Sequence, residues 1–239
     1  MLVTTNAIIL SKIKYGDSSV ILSCYTESFG IKSYLIRGVL SKKKGKFKPA
    51  YLQPLTQVTL EASHKENRSL QSLRDIKPLI HYKSLHTNVI KGAMVLFLSE
   101  VLSQLLKEEE ENTLLYSFIA ASLEWLDEQD SSSNFHLLFL LIITKYLGFY
   151  PDTSHIGLDY FNLEAGKFES SKVSLYSISG NNLTILKQLL GIKFDLLNEV
   201  RINSRQRQDF LNMILLYFEL HLGGFKKPRS LQVLNQVFS

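Results

Sequence analysis

The sequence predicts an α+β protein of two domains, a small five-stranded β-barrel over residues 1–80 followed by an α-helical bundle over 81–239. Three observations carry this. Five short β-rich runs separated by turn signals fill the first 80 residues. The apolar period changes to that of helices after Ile80. The charge is also unevenly divided: residues 1–80 hold 13 Lys/Arg against 5 Asp/Glu, a net of +8, and residues 81–239 hold 14 against 17, a net of −3.

The first run, Thr5 to Lys14, is rich in Ile and ends at the turn Tyr15-Gly16-Asp17. Ser19 to Thr26 is the second, closed by Glu27-Ser28-Phe29-Gly30, and Ile31 to Gly38 is the third, so Gly30 marks a hairpin between them. A basic loop, Leu40 to Pro49, follows. Pro54 to Ala62 sets Leu55, Gln57 and Thr59 against Thr56, Val58 and Leu60, the alternation of a half-buried strand. Leu70 to Ile80 supplies a fifth run. These residues do not by themselves separate an OB-type barrel from an SH3-like one.

Ile90, Ala93, Met94, Phe97, Val101, Leu102 and Leu105 then recur at helical spacing. Glu108 to Glu111 would oppose the macrodipole at a helix end, which places them in the first turn of the next helix, through Leu115, Phe118, Ile119, Leu123 and Trp125. Asp127 to Asn134 reads as a loop, and Phe135 to Leu147 as an apolar helix stopped by Gly148 and Pro151. Residues 152–178 differ in character: Tyr160 to Leu163, a Glu164-Ala165-Gly166 turn and Phe168 form a small hairpin-like insertion. Leu183 to Leu190 is helical. Asn203 and Gln206 have capping-box spacing and open a helix carrying Phe210, Met213, Ile214, Tyr217, Phe218 and His221, ended by Gly223-Gly224.

At 45% hydrophobic and 21% charged, the chain is too apolar for disorder and long enough for a sizeable core without staples. Its one cysteine, Cys24, makes no intrachain disulfide and no cysteine zinc site. The longest apolar run, Leu137 to Ile143, falls far short of the roughly 20 residues of a bilayer span. With no signal-peptide pattern in the first 20 residues, a cytoplasmic protein is expected. His64, His81, His86, His136, His155 and His221 show no HExxH pattern, and no GxSxG, Walker A or GxGxxG motif occurs. Asp17 and Glu27 are too isolated to hold catalytic Mg²⁺ as a nuclease would. No catalytic residue, metal or cofactor is therefore expected.

The strongest binding signal is the run from Arg37 to Lys48, which holds Arg37, Lys42, Lys43, Lys44, Lys46 and Lys48 with no acid. Phosphates relieve the mutual repulsion of such a cluster and release counterions. Lys12, Lys14 and Lys32 on the flanking strands add to the same charge. Tyr15, Tyr25, Phe29, Tyr34, Phe47 and Tyr51 are interleaved with these cations; Phe47, inside the basic loop, is the best candidate to stack on a base. A second basic cluster, Lys226, Lys227 and Arg229, either extends a binding surface or neutralises a helix C-terminus. A nucleic-acid-binding protein without turnover is the reading these residues favour, with an RNA-binding or translation-associated protein as its rival.

Several segments in order carry a family resemblance: Ala7-Ile8-Ile9-Leu10, Lys14-Tyr15-Gly16-Asp17-Ser18, Tyr25-Thr26-Glu27-Ser28-Phe29-Gly30, Arg37-Gly38 with the lysine loop, Gln53-Pro54-Leu55, Leu147-Gly148-Phe149-Tyr150-Pro151 and Arg229-Ser230-Leu231. Together they resemble the bacterial RecO family of DNA repair and recombination mediators. The resemblance implies an N-terminal OB-fold and a helical C-terminal domain. It implies binding of single- and double-stranded DNA, annealing of complementary strands, and help in loading the RecA recombinase onto DNA coated by single-strand-binding protein. RecR and the C-terminal tail of that coating protein are the implied partners, and DNA contact falls on Arg37 and the lysines after it. Many members carry paired zinc-binding cysteines after the Leu-Gly…Pro segment. Residues 152–178 have none, with Ser154, His155 and Gly157 near the corresponding places. A zinc-free hairpin held by packing alone is expected.

Overall fold

The computed structural model describes residues 1–39, 49–65, 67–107, 110–130 and 133–238. By contact the chain divides into two units, Met1–Glu128 with Pro228–Ser230 and Gln129–Lys227 with Leu231–Ser239.

In the first unit, strands β1 (Leu2–Tyr15), β2 (Ser19–Thr26), β3 (Gly30–Ile36), β4 (Gln57–Ser63) and β5 (Leu70–Pro78) close into a barrel in the order β1-β2-β3-β5-β4. All neighbours are antiparallel except β3 and β5, which pair in parallel from Ser33↔Leu70 to Leu35↔Ser72. This closed five-stranded Greek-key path is the OB arrangement, and it settles what the residues alone left open between two barrel types. Closure falls on β1. Its N-terminal half pairs with β4, from Leu2↔Ser63 to Ile8↔Gln57, while Ala7 to Tyr15 pair with β2. A bulge between Ile9 and Ser11 supplies the bend that serving two neighbours requires.

Alternate residues of each strand fill the interior: Val20, Leu22 and Cys24 from β2, Tyr34 and Ile36 from β3, Val58, Leu60 and Ala62 from β4. Burial pushes the Cys24 thiol far up, which leaves it an inert apolar filler. The β2–β3 turn is made by Thr26, whose hydroxyl donates to Gly30 O (2.8 Å) and accepts from Phe29 N (3.0 Å). Gln53-Pro54-Leu55 is likewise a structural turn. Leu55, buried at a positive φ of 57°, donates its N–H to Ile9 O, and Pro54 O meets His86 Nε2 at 2.9 Å.

Helices α1 (Val89–Leu105) and α2 (Thr113–Glu128) belong to the same unit as the barrel. The outer face of β4 shows why. Gln57 is buried, and its amide donates to Ala120 O at 3.0 Å and Glu124 Oε1 at 3.2 Å on α2. The acidic run does not open α2 as expected. Glu110 and Glu111 precede it, Glu108 and Glu109 lie outside the described residues, and Asn112 caps the helix by accepting from Leu115 N at 3.0 Å. An amide cap satisfies an orphan N–H directly, which acidic side chains farther upstream do not.

The second unit contains α3 (Phe135–Tyr146), a sheet of β6 (Tyr160–Asn162), β7 (Lys167–Glu169) and β8 (Ser177–Ile178), then α4 (Gly180–Leu189), α5 (Ser204–His221) and α6 (Leu231–Val237). The expected hairpin is β6 and β7; β8 adds a third strand on the other side of β6. Both α3 and α4 pack on α5. The α5 capping box forms as its spacing predicts: Asn203 Oδ1 accepts from Gln206 N at 2.9 Å, and Gln206 Oε1 from Asn203 N at 3.1 Å. No helix among the described residues is long and apolar enough to cross a membrane.

Candidate nucleic-acid interface

The parallel pairing of β3 with β5 brings the β4–β5 connection beside β3. That connection, His64 to Ser69, is tied down by one buried side chain. Gln71 Oε1 accepts from Lys65 N at 2.8 Å, and its amide donates to Lys65 O and Arg68 O. With its amide enclosed and every polar atom engaged, Gln71 holds the turn in one shape and leaves the Lys65 and Arg68 side chains in solvent.

Two adjoining grooves run over this region. One, of about 620 Å³, is lined by Phe29, Lys32, His64, Lys65 and Arg68 among others. The other, of about 480 Å³, is lined by Arg37, Lys65, Arg68 and the start of β5. Lys65, Asn67, Arg68 and Gln71 line both, so the two form one track. Among the described lining residues, Lys32, Arg37, Lys65 and Arg68 are cations and none is an acid. The Phe29 and His64 rings meet edge to face at 4.8 Å on its floor. His64 Nε2 is held by the Tyr34 hydroxyl at 2.9 Å. Burial lowers the His64 pKa, helped by Lys32 and the Met1 ammonium, so the ring is neutral at pH 7. A track of cations with a half-sheltered aromatic floor suits a chain of phosphates and flat bases.

The candidates from sequence divide as follows. Lys32 and Arg37 lie on the track. Lys12 and Lys14 stand on the β1–β2 hairpin, and the ladder Lys14↔Val20↔Ile36 sets that hairpin next to the strand end that carries Arg37. Lys42, Lys43, Lys44, Lys46, Phe47 and Lys48 lie outside the described residues. Of the other aromatics, Tyr34 is a core residue, and Tyr25 is buried with its hydroxyl donating to Asn112 O. Lys226 and Lys227 fall in the second unit and Arg229 in the first, where Arg229 N and Ser230 N donate to the Glu100 carboxylate on α1. Lys65, Arg68 and His64 were not singled out by sequence reasoning. Their loop is short and mixed in charge, and only the non-local β3–β5 pairing reveals what it faces.

Comparison with known proteins decides the family. The model described as Recombination protein O N terminal matches residues 1–82, and that described as Recombination protein O C terminal matches 86–231. Full-length similarity extends to the DNA repair protein RecO of Christiangramia forsetii at 45% identity, of Flavobacterium johnsoniae at 42% and of Bacteroides fragilis at 35%, each over 100% of both chains. The chain belongs to the RecO family. The two matches part where strand gives way to helix, while the compact unit of this RecO chain runs on to Glu128 because α2 is bonded to the barrel wall.

Zinc does not fit this RecO chain at the place the resemblance gives. Ser154 is spent locally: its N–H and hydroxyl both donate to Asp152 Oδ1, at 2.9 and 2.6 Å. Among the described residues no three His, Cys, Asp or Glu side chains come together as a metal site. Aromatic packing holds the small sheet to α5. Phe161 meets Phe168 at 4.9 Å and Tyr217 at 6.0 Å, and His221 stacks on Phe149 at 5.0 Å. The expectation that packing alone holds the hairpin is corrected by hydrogen bonds. Tyr217 Oη donates to Phe149 O at 2.7 Å, and His221 Nε2 contacts Leu163 O at 2.8 Å. A Cβ on Gly166 would sit 3.0 Å from the Tyr217 hydroxyl, in a backbone conformation with φ 65°.

Proposed function

We propose that this RecO-family protein is a non-enzymatic, cytoplasmic, nucleoid-associated recombination mediator. In this reading the barrel track binds single- and double-stranded DNA. Its cations neutralise phosphates on two complementary strands, lower their mutual repulsion and let them anneal. The protein then assists loading of the recombinase onto DNA coated by single-strand-binding protein, with RecR as a further partner. The observation that supports this best is the joining of Lys32 and Arg37 with Lys65 and Arg68 along one pair of grooves.

Annealing of complementary DNA oligonucleotides, followed against salt, tests the reading. Annealing is expected to be fast at low salt and to fall steeply as salt rises. Matched RNA oligonucleotides should bind more weakly, and labelled DNA incubated with Mg²⁺ should stay intact. A large RNA preference would favour the RNA-binding alternative, and cleavage would make the protein a nuclease.

In the same reading, the second unit takes the acidic, apolar-ended tail of single-strand-binding protein. A groove of about 490 Å³ has Ile142, Tyr150, Ile156, Leu190 and Ile192 along its walls and the exposed Lys145 among its lining residues. Apolar side chains of the tail would fill it while Lys145 meets a carboxylate. Lys145→Glu should weaken a fluorescent tail peptide roughly tenfold or more while leaving DNA binding by the barrel unchanged. An unaltered peptide affinity places the tail elsewhere.

A further inference from the structure

The β1–β2 hairpin exposes two large apolar side chains that phosphate binding does not employ. Ile13 is 63% exposed and Tyr15 is 54% exposed. They alternate along β1 with Lys12 and Lys14, which are also exposed. Lys12 pairs with Leu22 and Lys14 with Val20, residues that point into the barrel, whereas Ile13 pairs with Ile21 and Tyr15 with Ser19 on the outer side. Successive strand residues face opposite ways. The end of β1, beyond its last pairing with β4 at Ile8, thus carries two exposed cations on the side of Leu22 and Val20 and two exposed apolar groups on the opposite side.

We propose that this hairpin end is a base-contacting finger for single-stranded DNA. Lys12 and Lys14 take phosphates, and Ile13 and Tyr15 pack on unpaired bases. The proposal rests on the DNA-binding reading above. The alternation is what favours a nucleic acid strand as occupant. An anionic backbone that carries flat apolar groups complements a strand that carries cations and apolar groups in turn, about 7 Å apart on each face. Single strands are favoured over duplex because the flat faces of paired bases are already covered by stacking. Asp17 in the turn repels phosphate and marks the end of the finger. Contacts of Ile13 and Tyr15 with bases release no counterions, so they add affinity without adding salt dependence.

The test compares the full-length wild type with an Ile13→Ser/Tyr15→Ser variant, using an oligo-dT strand and a duplex of equal length over a range of salt. Because both side chains are exposed, the variant should keep the wild-type melting temperature. Oligo-dT affinity should fall roughly tenfold or more, with an unchanged slope of log affinity against log salt, while duplex affinity changes less than about twofold. A separate Tyr15→Trp variant should lose indole fluorescence on adding oligo-dT, beyond any change in wild type, and not on adding duplex. Equal oligo-dT affinity in variant and wild type, equal losses on duplex and single strand, or an unresponsive indole each overturn the finger while the wild type still binds DNA. A wild type that binds neither ligand overturns the DNA-binding reading itself, and the finger with it.

Discussion

Replacing Asp127 by Ala is expected to destabilise the first unit by about 3–5 kcal/mol. Asp127 closes α2, and its buried carboxylate collects the chain that links barrel to α1. Oδ2 accepts from Lys83 N at 2.8 Å, and Oδ1 from Ser84 N at 2.8 Å and Leu85 N at 2.7 Å. Its own carbonyl accepts from the Ser84 hydroxyl at 2.7 Å and from the ammonium of Lys91, a residue only 4% exposed, at 2.8 Å. Truncation strands the three backbone donors of Lys83, Ser84 and Leu85. Trp125, the only tryptophan, lies two residues away and reports on this region. Urea or thermal unfolding followed by its fluorescence should show the loss as a fall of roughly 6–20 °C in Tm. A change below about 1 kcal/mol would mean that water replaces the carboxylate without penalty.

The same carboxylate gives a pH signature. Burial raises the Asp127 pKa, but the N–H bonds from Lys83, Ser84 and Leu85 and the Ser84 hydroxyl outweigh it, and the net shift is downward. A carboxylate with a folded-state pKa below its unfolded value stabilises the fold above the ordinary carboxylate range. That stability disappears as pH falls through the folded pKa. The wild type should therefore lose stability faster on acidification below about pH 4 than Asp127→Ala, which has already lost it.

Features that depend on local chemistry were legible in the sequence. Ser19–Thr26 is a strand with the bounds its flanking turns predict, and the Asn203–Gln206 box forms as its spacing demands. Features that depend on distant pairing were not. Asp127 reads as the first residue of a polar loop, because nothing nearby shows that Lys83 to Leu85 will meet it. Tyr25 and Tyr34 read as candidate stacking residues, because strand alternation does not say which face of a closed barrel is inside. α6 is too short for its period to stand out, and β8 has only two residues. The binding surface splits the same way: Lys32 and Arg37 belong to an evident basic stretch, whereas Lys65 and Arg68 join them only through the parallel β3–β5 ladder.

Those long-range partners make the second large prediction. Arg37→Ala/Lys65→Ala/Arg68→Ala should weaken binding to single-stranded DNA about a hundredfold at 0.1 M salt. Each phosphate contact on a single strand contributes about 0.7 to the slope of log affinity against log salt, so three lost contacts make that slope shallower by about two. The affinities of variant and wild type should converge toward 1 M salt, where counterion release no longer drives binding. All three side chains are exposed, so Tm should hold within about 1 °C. The turn that presents two of them is fixed by Gln71, which gives a control: Gln71→Ala keeps every cation but frees the backbone of Lys65 and Arg68. It should leave the salt slope nearly intact while lowering affinity at every salt, since cations that must first be positioned bind less tightly than cations already in place. A triple variant with an unchanged slope would show that these grooves do not carry the phosphates.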